Sequence, residues 1–460
     1  MIAETGQLRE VAWREVFPWL RIFTALRLSL QPSKLLLATV GVVLTSGGWY
    51  FFARLFAGSD DPAVRDLVAK TTFWPWEDPL LGFWSLKAEV WRTFATAWPE
   101  VYLRLTAPFA VWFRADASPA ALALGALQGL WALLVWSVFG AAICRLAAVQ
   151  LAQGRRYQLG QAMRHAMSKW PSYLAAPLFP LLFLFVLGIP ALLLGLLSWF
   201  DIGYLLAGVL WPVALVLGLL SALLVVGVAL GWPLMWGAIS TECSDTFDAL
   251  SRSYSYVSQR PLHLLFYSAV ATVAFALGYL FVSLVGYLTL HTAAWQASWS
   301  APYPRQQAIH QVQQRGLHQL IVPSRPAAAD QAQQQPEHTW GDYVVAFWAT
   351  VVRTVVFSFP YAFFWTVAVA IYQVLRWDAE ATHLDEVHLD EEEEEQAPVP
   401  VPAAPSASSS GEAPGQEQQG LQESSPGGPQ AGEASSGASA QESSAQPPLD
   451  SPTEEDKPAE

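Results

Sequence analysis

The sequence predicts an all-α, six-span transmembrane helical bundle with three amphipathic in-plane helices on the cytoplasmic side. Three observations carry this reading. Apolar residues make up 53% of the 460-residue chain and charged residues 14%, against about 25% charged in soluble domains. Six apolar runs reach the length of roughly 20 residues that a bilayer core demands. The 22 tryptophans suit headgroup depth, where an amphipathic ring is half wet and half dry.

Residues 1–34 form a charged leader with no evident cleavage site, so the first apolar run should stay as a span. The six-span domain covers 35–384, with spans near 35–56, 119–143, 172–199, 203–237, 262–290 and 343–375. The third contains Pro177, Pro180 and Pro190, and the fourth Pro212 and Pro233. The last contains Arg353, expected to snorkel from near the outer end. Orientation follows Lys and Arg in short loops. Arg9, Arg14, Arg21, Arg27 and Lys34 precede the first span, and Arg145, Arg155, Arg156, Arg164 and Lys169 lie between the second and third. Both segments should be cytoplasmic, as should both termini. Loops 57–118 and 291–342 then fall outside.

A pattern repeats ahead of the odd-numbered spans. Ala25-Leu26-Arg27 precedes Pro32, Ala162-Met163-Arg164 precedes Pro171, and Ala249-Leu250 with Arg252 precedes Pro261. Each reads as an in-plane helix whose apolar stripe faces acyl chains or neighbouring spans while its cations reach phosphate level. The stripes read as Phe23, Leu26 and Leu30; as Leu159, Met163, Ala166 and Trp170; and as Phe247, Leu250, Tyr254 and Val257. Arg27, Arg164 and Lys169 are the interfacial anchors. The chain thus parses into three units of in-plane helix, span out and span back, which suggests a pseudo-threefold arrangement.

The third copy alone adds acids. Asp245 is a candidate N-cap with Asp248 three residues on, and Asp248 and Arg252 stand at i, i+4. Glu242, Asp245, Asp248, Arg252 and Arg260 form the candidate cytoplasmic-face cluster. Capping and pairing account for it; a ligand or ion gate is the sharper alternative.

The first outer loop is aromatic-rich, and Val90, Phe94, Ala97 and Val101 suggest a helix resting on the outer leaflet. The second is Gln- and Pro-rich, and His310 and His318 have poor metal spacing. Residues 385–460 read as an acidic, disordered cytoplasmic tail. Eighteen acids against Lys457 give it −17, so the whole-chain −13 leaves +4 on the first 384 residues. The run Glu391–Glu395 could hold cations or a basic partner.

No P-loop, HExxH, GxSxG or GxGxxG motif is present. No catalytic, cofactor-binding or metal-ligating residue is assigned, and no cofactor or nucleic-acid partner is implied. Cys144 and Cys243 read as free thiols at the ends of apolar runs.

The runs FDALSRSYSYVSQRP, AAVQLAQGRRYQLGQAMRHAMSKWPSYL and IYQVLRWDAEATHLDEVHLDEEEEE resemble an uncharacterised family of polytopic membrane proteins from planctomycete bacteria. The resemblance spans about residues 20–395 and implies no activity. More loosely, in-plane helices alternating with span pairs are similar to the membrane domain of some glycerophosphodiester phosphodiesterases, whose catalytic domain this chain lacks.

The reading is a multi-pass protein of the cell (inner, cytoplasmic) membrane, non-enzymatic. It is a structural module that meets membrane lipids, and a protein partner through its tail or cytoplasmic helix layer. The alternative is a transporter or permease component for a small or lipid-like solute, for which the broken third and fourth spans are the best argument.

Overall fold

This computed structural model describes residues 17–75, 100–114, 116–303, 305–312, 339–380, 382–383 and 386–388. The described residues are 88% helical with no strand. In chain order the helices are α1 (Arg21–Ser29), α2 (Pro32–Leu55), α3 (Pro62–Thr71), α4 (Pro119–Gln153), α5 (Leu159–Leu197), α6 (Asp201–Glu242), α7 (Thr246–Gln259), α8 (Pro261–Ser298) and α9 (Trp340–Glu380). Residues 100–110 are also helical. Six of these, α2, α4, α5, α6, α8 and α9, are long and apolar enough to cross a membrane.

The expected spans are present, and several run well past their expected ends. α4 continues ten residues beyond 143 because Ala147, Ala148 and Ala152 keep it packed. Gly154 stops it in the left-handed conformation (φ +65°), its N–H returning to the Gln150 carbonyl. At 1.5 Å per residue, the 42-residue α6 is about 63 Å long. That is about twice a bilayer's hydrocarbon thickness.

The centre of the bundle is α4 and α9. In the most apolar window of each, 83% and 94% of residues are buried, against 6% for α5 and for α6. α9 packs against α1, α2, α4, α6 and α8. A ladder of rings fills the seam: Trp136 stacks on Tyr361 (5.2 Å) and Trp236 on Trp365 (4.2 Å). Gly140 makes the second stack possible, since a Cβ there would come within 2.8 Å of the Trp236 ring.

The three repeats resolve into two kinds of element. α1 and α7 are separate helices, because the residue before each proline leaves helical geometry: Gln31 at ψ 136° and Arg260 at φ −129°, ψ 48°. The second copy is not separate, which corrects the expectation. α5 runs unbroken through Pro171. Its buried stripe, Ala162, Ala166, Tyr173, Ala176 and Pro180, does not change face there, so packing keeps the helix continuous across the proline.

The stripes themselves are also corrected. The buried faces are Ile22, Ala25 and Ser29 on α1, and Ala249, Ser253, Tyr256 and Val257 on α7, where Val257 alone of the expected stripe is buried. Phe23, Leu26, Leu250 and Tyr254 flank them half-buried, Trp170 is exposed and Phe247 is 59% exposed. Hydropathy selects the largest residues, whereas close helix approach selects the smallest. The repeated alanine is the common element: Ala25, Ala162 and Ala249 are all 0% exposed.

At the far end, α3 packs on the start of α4 through Val64, Leu67 and Leu124. The described part of the aromatic loop does not stay there. The helix at 100–110 enters the bundle, with Val101 and Leu105 buried. The Tyr102 hydroxyl donates to the Ala229 carbonyl at 2.7 Å, about 20 Å along α6 from its C-terminus. Val90, Phe94 and Ala97 lie outside the described residues, as do His318 and the acid run 391–395.

Candidate functional site

The C-terminus of α6 is where distant parts of the chain meet. A helix end leaves carbonyls without helical partners, and cations favour that end. Here each is met. The Ile239 carbonyl accepts from the Cys243 N–H at 3.0 Å. The Ser240 carbonyl accepts from Arg145 of α4 at 2.8 Å, and the Cys243 carbonyl from Lys169 of α5 at 2.9 Å. The Thr241 carbonyl accepts from the His388 N–H at 3.0 Å. Lys169, expected as an interfacial anchor, is thus a helix cap; Arg27 and Arg164 are exposed.

Arg145 is fully buried and grips two segments at once, since its second amino group donates to the His388 carbonyl at 3.0 Å. Arg376 donates to the Glu386 carbonyl at 3.0 Å. Residues 386–388 are therefore fastened to the bundle, three residues past the expected start of the tail.

Outside this cap lies the cluster expected from the third repeat. Glu242 pairs with Arg252 at 3.0 Å and with Arg376 at 3.2 Å, and accepts the Tyr372 hydroxyl. Arg252 also holds Asp248 (3.0 Å) and approaches Glu380 (3.6 Å). Burial works to lower the Arg252 pKa, but Glu242 and Asp248 outweigh it and hold the guanidinium above its usual range. Tyr256 donates to Glu380 at 2.6 Å, and burial with that carboxylate pushes its phenol up. Asp245 caps α7 by accepting from the Asp248 N–H at 2.8 Å. Arg260 stands apart from the others, 3.8 Å from Asp378.

The contribution of α9 was missed. Tyr372, Arg376 and Glu380 repeat at i, i+4, i+8 and so share one helix face. That spacing was visible, but nothing local links it to Glu242, 130 residues earlier.

Beneath the cap is a buried polar chain. Ser240 donates to the Trp236 carbonyl at 2.7 Å. Its one proton is then used, so the Tyr173 hydroxyl donates to Ser240 at 2.8 Å. Tyr173 in turn must accept from His165 Nε2 at 3.3 Å. Cys144 and Lys34 are buried nearby, and Lys34 Nζ makes no hydrogen bond among the described residues. Arg353 is buried rather than reaching outward.

Deeper still, the helix at 100–110 roofs a cavity of about 220 Å³ against α4, α5 and α6. Pro177 and Pro180 line it. A helical proline frees the carbonyl four residues back. Pro177 frees that of Tyr173, and Pro233 that of Ala229. Both are re-bonded, by Trp236 Nε1 (2.9 Å) and by Tyr102 (2.7 Å). The kinks therefore offer no bare carbonyl at these two places.

Among the described residues no group of three His, Cys, Asp or Glu could hold a metal ion. Comparison with protein-family models, curated proteins and solved structures finds no match to this chain.

Proposed function

We propose that the chain is a non-enzymatic membrane scaffold that presents an acidic tail to a basic protein partner from a rigid platform. One observation carries this. Residues 386–388 are clamped by Arg145, Arg376 and the end of α6. Residue 388, the last described before the acidic run, is therefore fixed at the end of α6 beside Arg145 and Thr241. In this reading the α7 end is cytoplasmic, both termini lie there, and the membrane is the cell membrane. α1 and α7 lie close to the membrane plane, with the exposed Phe247 of α7 meeting acyl chains.

The transporter reading has less support. Its best argument was a polar path at the proline breaks, and the carbonyls freed by Pro177 and Pro233 are already bonded.

The test is crosslinking in the native cell, with affinity capture. It compares the full chain with a chain truncated after His388. A specific basic protein recovered with the first and lost with the second is expected. Recovery of no specific protein with either overturns the proposal. Topology is tested by Arg164→Cys, which should label only from the cytoplasmic side.

A further inference from the structure

We infer that the cavity beneath the 100–110 helix is a binding site for the hydrocarbon chain of a membrane lipid. Its walls come from five parts of the chain: Tyr102 and Leu105 of the roof, Trp136 of α4, Leu181 of α5, Val225 of α6 and Trp365 of α9. The lining is almost wholly apolar. The carbonyls that Pro177 and Pro233 free are bonded by Trp236 and Tyr102. Trp136, Trp232 and Trp365 bring indole N–H groups without a hydrogen-bond partner among the described residues, but so few polar atoms in the lining suit a hydrocarbon chain better than a polar solute.

Size argues that something fills it. A dry apolar cavity of about 150 Å³ already takes up a small hydrocarbon, and this one is about 220 Å³. Water is a poor occupant, because it needs two to four polar partners. The source of the occupant follows from where the cavity opens. Ala110 and Phe113 at its lip are exposed, as are the neighbouring Leu223 and Val226 on the outer face of α6. That face belongs to a helix in the span class, so the opening looks onto acyl chains rather than water. An acyl chain can bend in laterally while its headgroup stays outside.

The inference does not rest on the scaffold reading, and its test does not involve the tail. The full chain is reconstituted in phosphatidylcholine vesicles carrying a fraction of lipid with a diazirine midway along one acyl chain. After photolysis, the labelled residues are mapped by mass spectrometry. Labels on Leu181, Leu184 and Val225 are expected at several-fold the density found on freely exposed Leu192 and Leu215. Val225→Trp should lower the Leu181 and Leu184 labels at least fivefold and leave Leu192 unchanged. If that variant misfolds, Leu184→Trp read at Val225 serves the same purpose. Label confined to the exposed outer residues of the folded wild-type chain would overturn the inference, whatever the variants do.

Discussion

The indole nitrogen of Trp236 donates to the Tyr173 carbonyl at 2.9 Å. That is the carbonyl which Pro177 leaves without its helical partner. A donor on α6 thus completes a hydrogen bond that α5 cannot make for itself. Trp236→Phe keeps most of the ring and removes the donor, leaving a buried acceptor bare. It should destabilise the bundle by about 1–3 kcal/mol. Pro177→Ala restores an N–H at the right place in α5. The Trp236→Phe penalty should then fall by at least half, read as a double-mutant cycle in detergent unfolding. Equal penalties in both backgrounds would mean that the indole contributes only its packing.

Glu242, Asp245 and Arg260 came from one sequence cluster, but their surroundings rank them. Glu242 is mostly buried and holds two guanidinium groups and a phenol. Glu242→Gln leaves Arg252 and Arg376 facing each other. It should cost about 2–3 kcal/mol, less than a fully buried pair because Arg252 is one-third exposed. Asp245→Ala removes a helix cap, at about 1 kcal/mol. Arg260→Gln breaks a 3.8 Å, 40% exposed pair and should cost under about 0.5 kcal/mol. Thermal unfolding of the three variants should return that order.

Much of this was legible because membrane length and apolar runs are coarse signals. The six long helices, the Asp245 cap, the Asp248–Arg252 pair and Pro261 at a helix start are all local patterns, and all are present. What failed needed knowledge of distant packing. The in-helix position of Pro171 depends on a stripe continuing to Pro180. The buried face of α7 depends on how closely its neighbours approach Ala249 and Ser253. The α9 half of the charged site is separated from Glu242 by more than a hundred residues. The repeated alanine was in view, but hydropathy gives it too little weight beside leucine.

Lys34 counts toward orientation in the sequence, but in the fold it is 0% exposed with no hydrogen bond on Nζ among the described residues. A buried ammonium without a partner opposes folding. Lys34→Met has similar volume and nothing to desolvate. It should stabilise the bundle by about 1–2 kcal/mol in detergent unfolding. A loss of stability would reveal a partner supplied by another part of the chain.

Arg145 ties residues 386–388 to the end of α6 through two carbonyls. Arg145→Gln removes the fork and the charge. The His388 N–H, which donates to Thr241, should then exchange its hydrogen at least tenfold faster, about 1.4 kcal/mol of lost protection. Protection unchanged from wild type would mean that Arg376 and the bond to Thr241 hold the segment without Arg145.

Cys243 is the one described non-glycine residue with positive φ, at 54°. The left-handed conformation costs a side-chain-bearing residue roughly 1–2 kcal/mol, so glycine would be the ordinary choice. The turn needs that conformation. It points the Cys243 carbonyl at Lys169, and two residues later Asp245 caps α7. Cys243→Gly relieves the backbone but adds freedom to the unfolded chain, so stability should rise by about 0–1 kcal/mol. Cys243→Val places a β-branched residue at positive φ and should lose at least about 1 kcal/mol. If the valine variant is as stable as the wild type, the turn is not held left-handed, and the Lys169 cap must be made some other way.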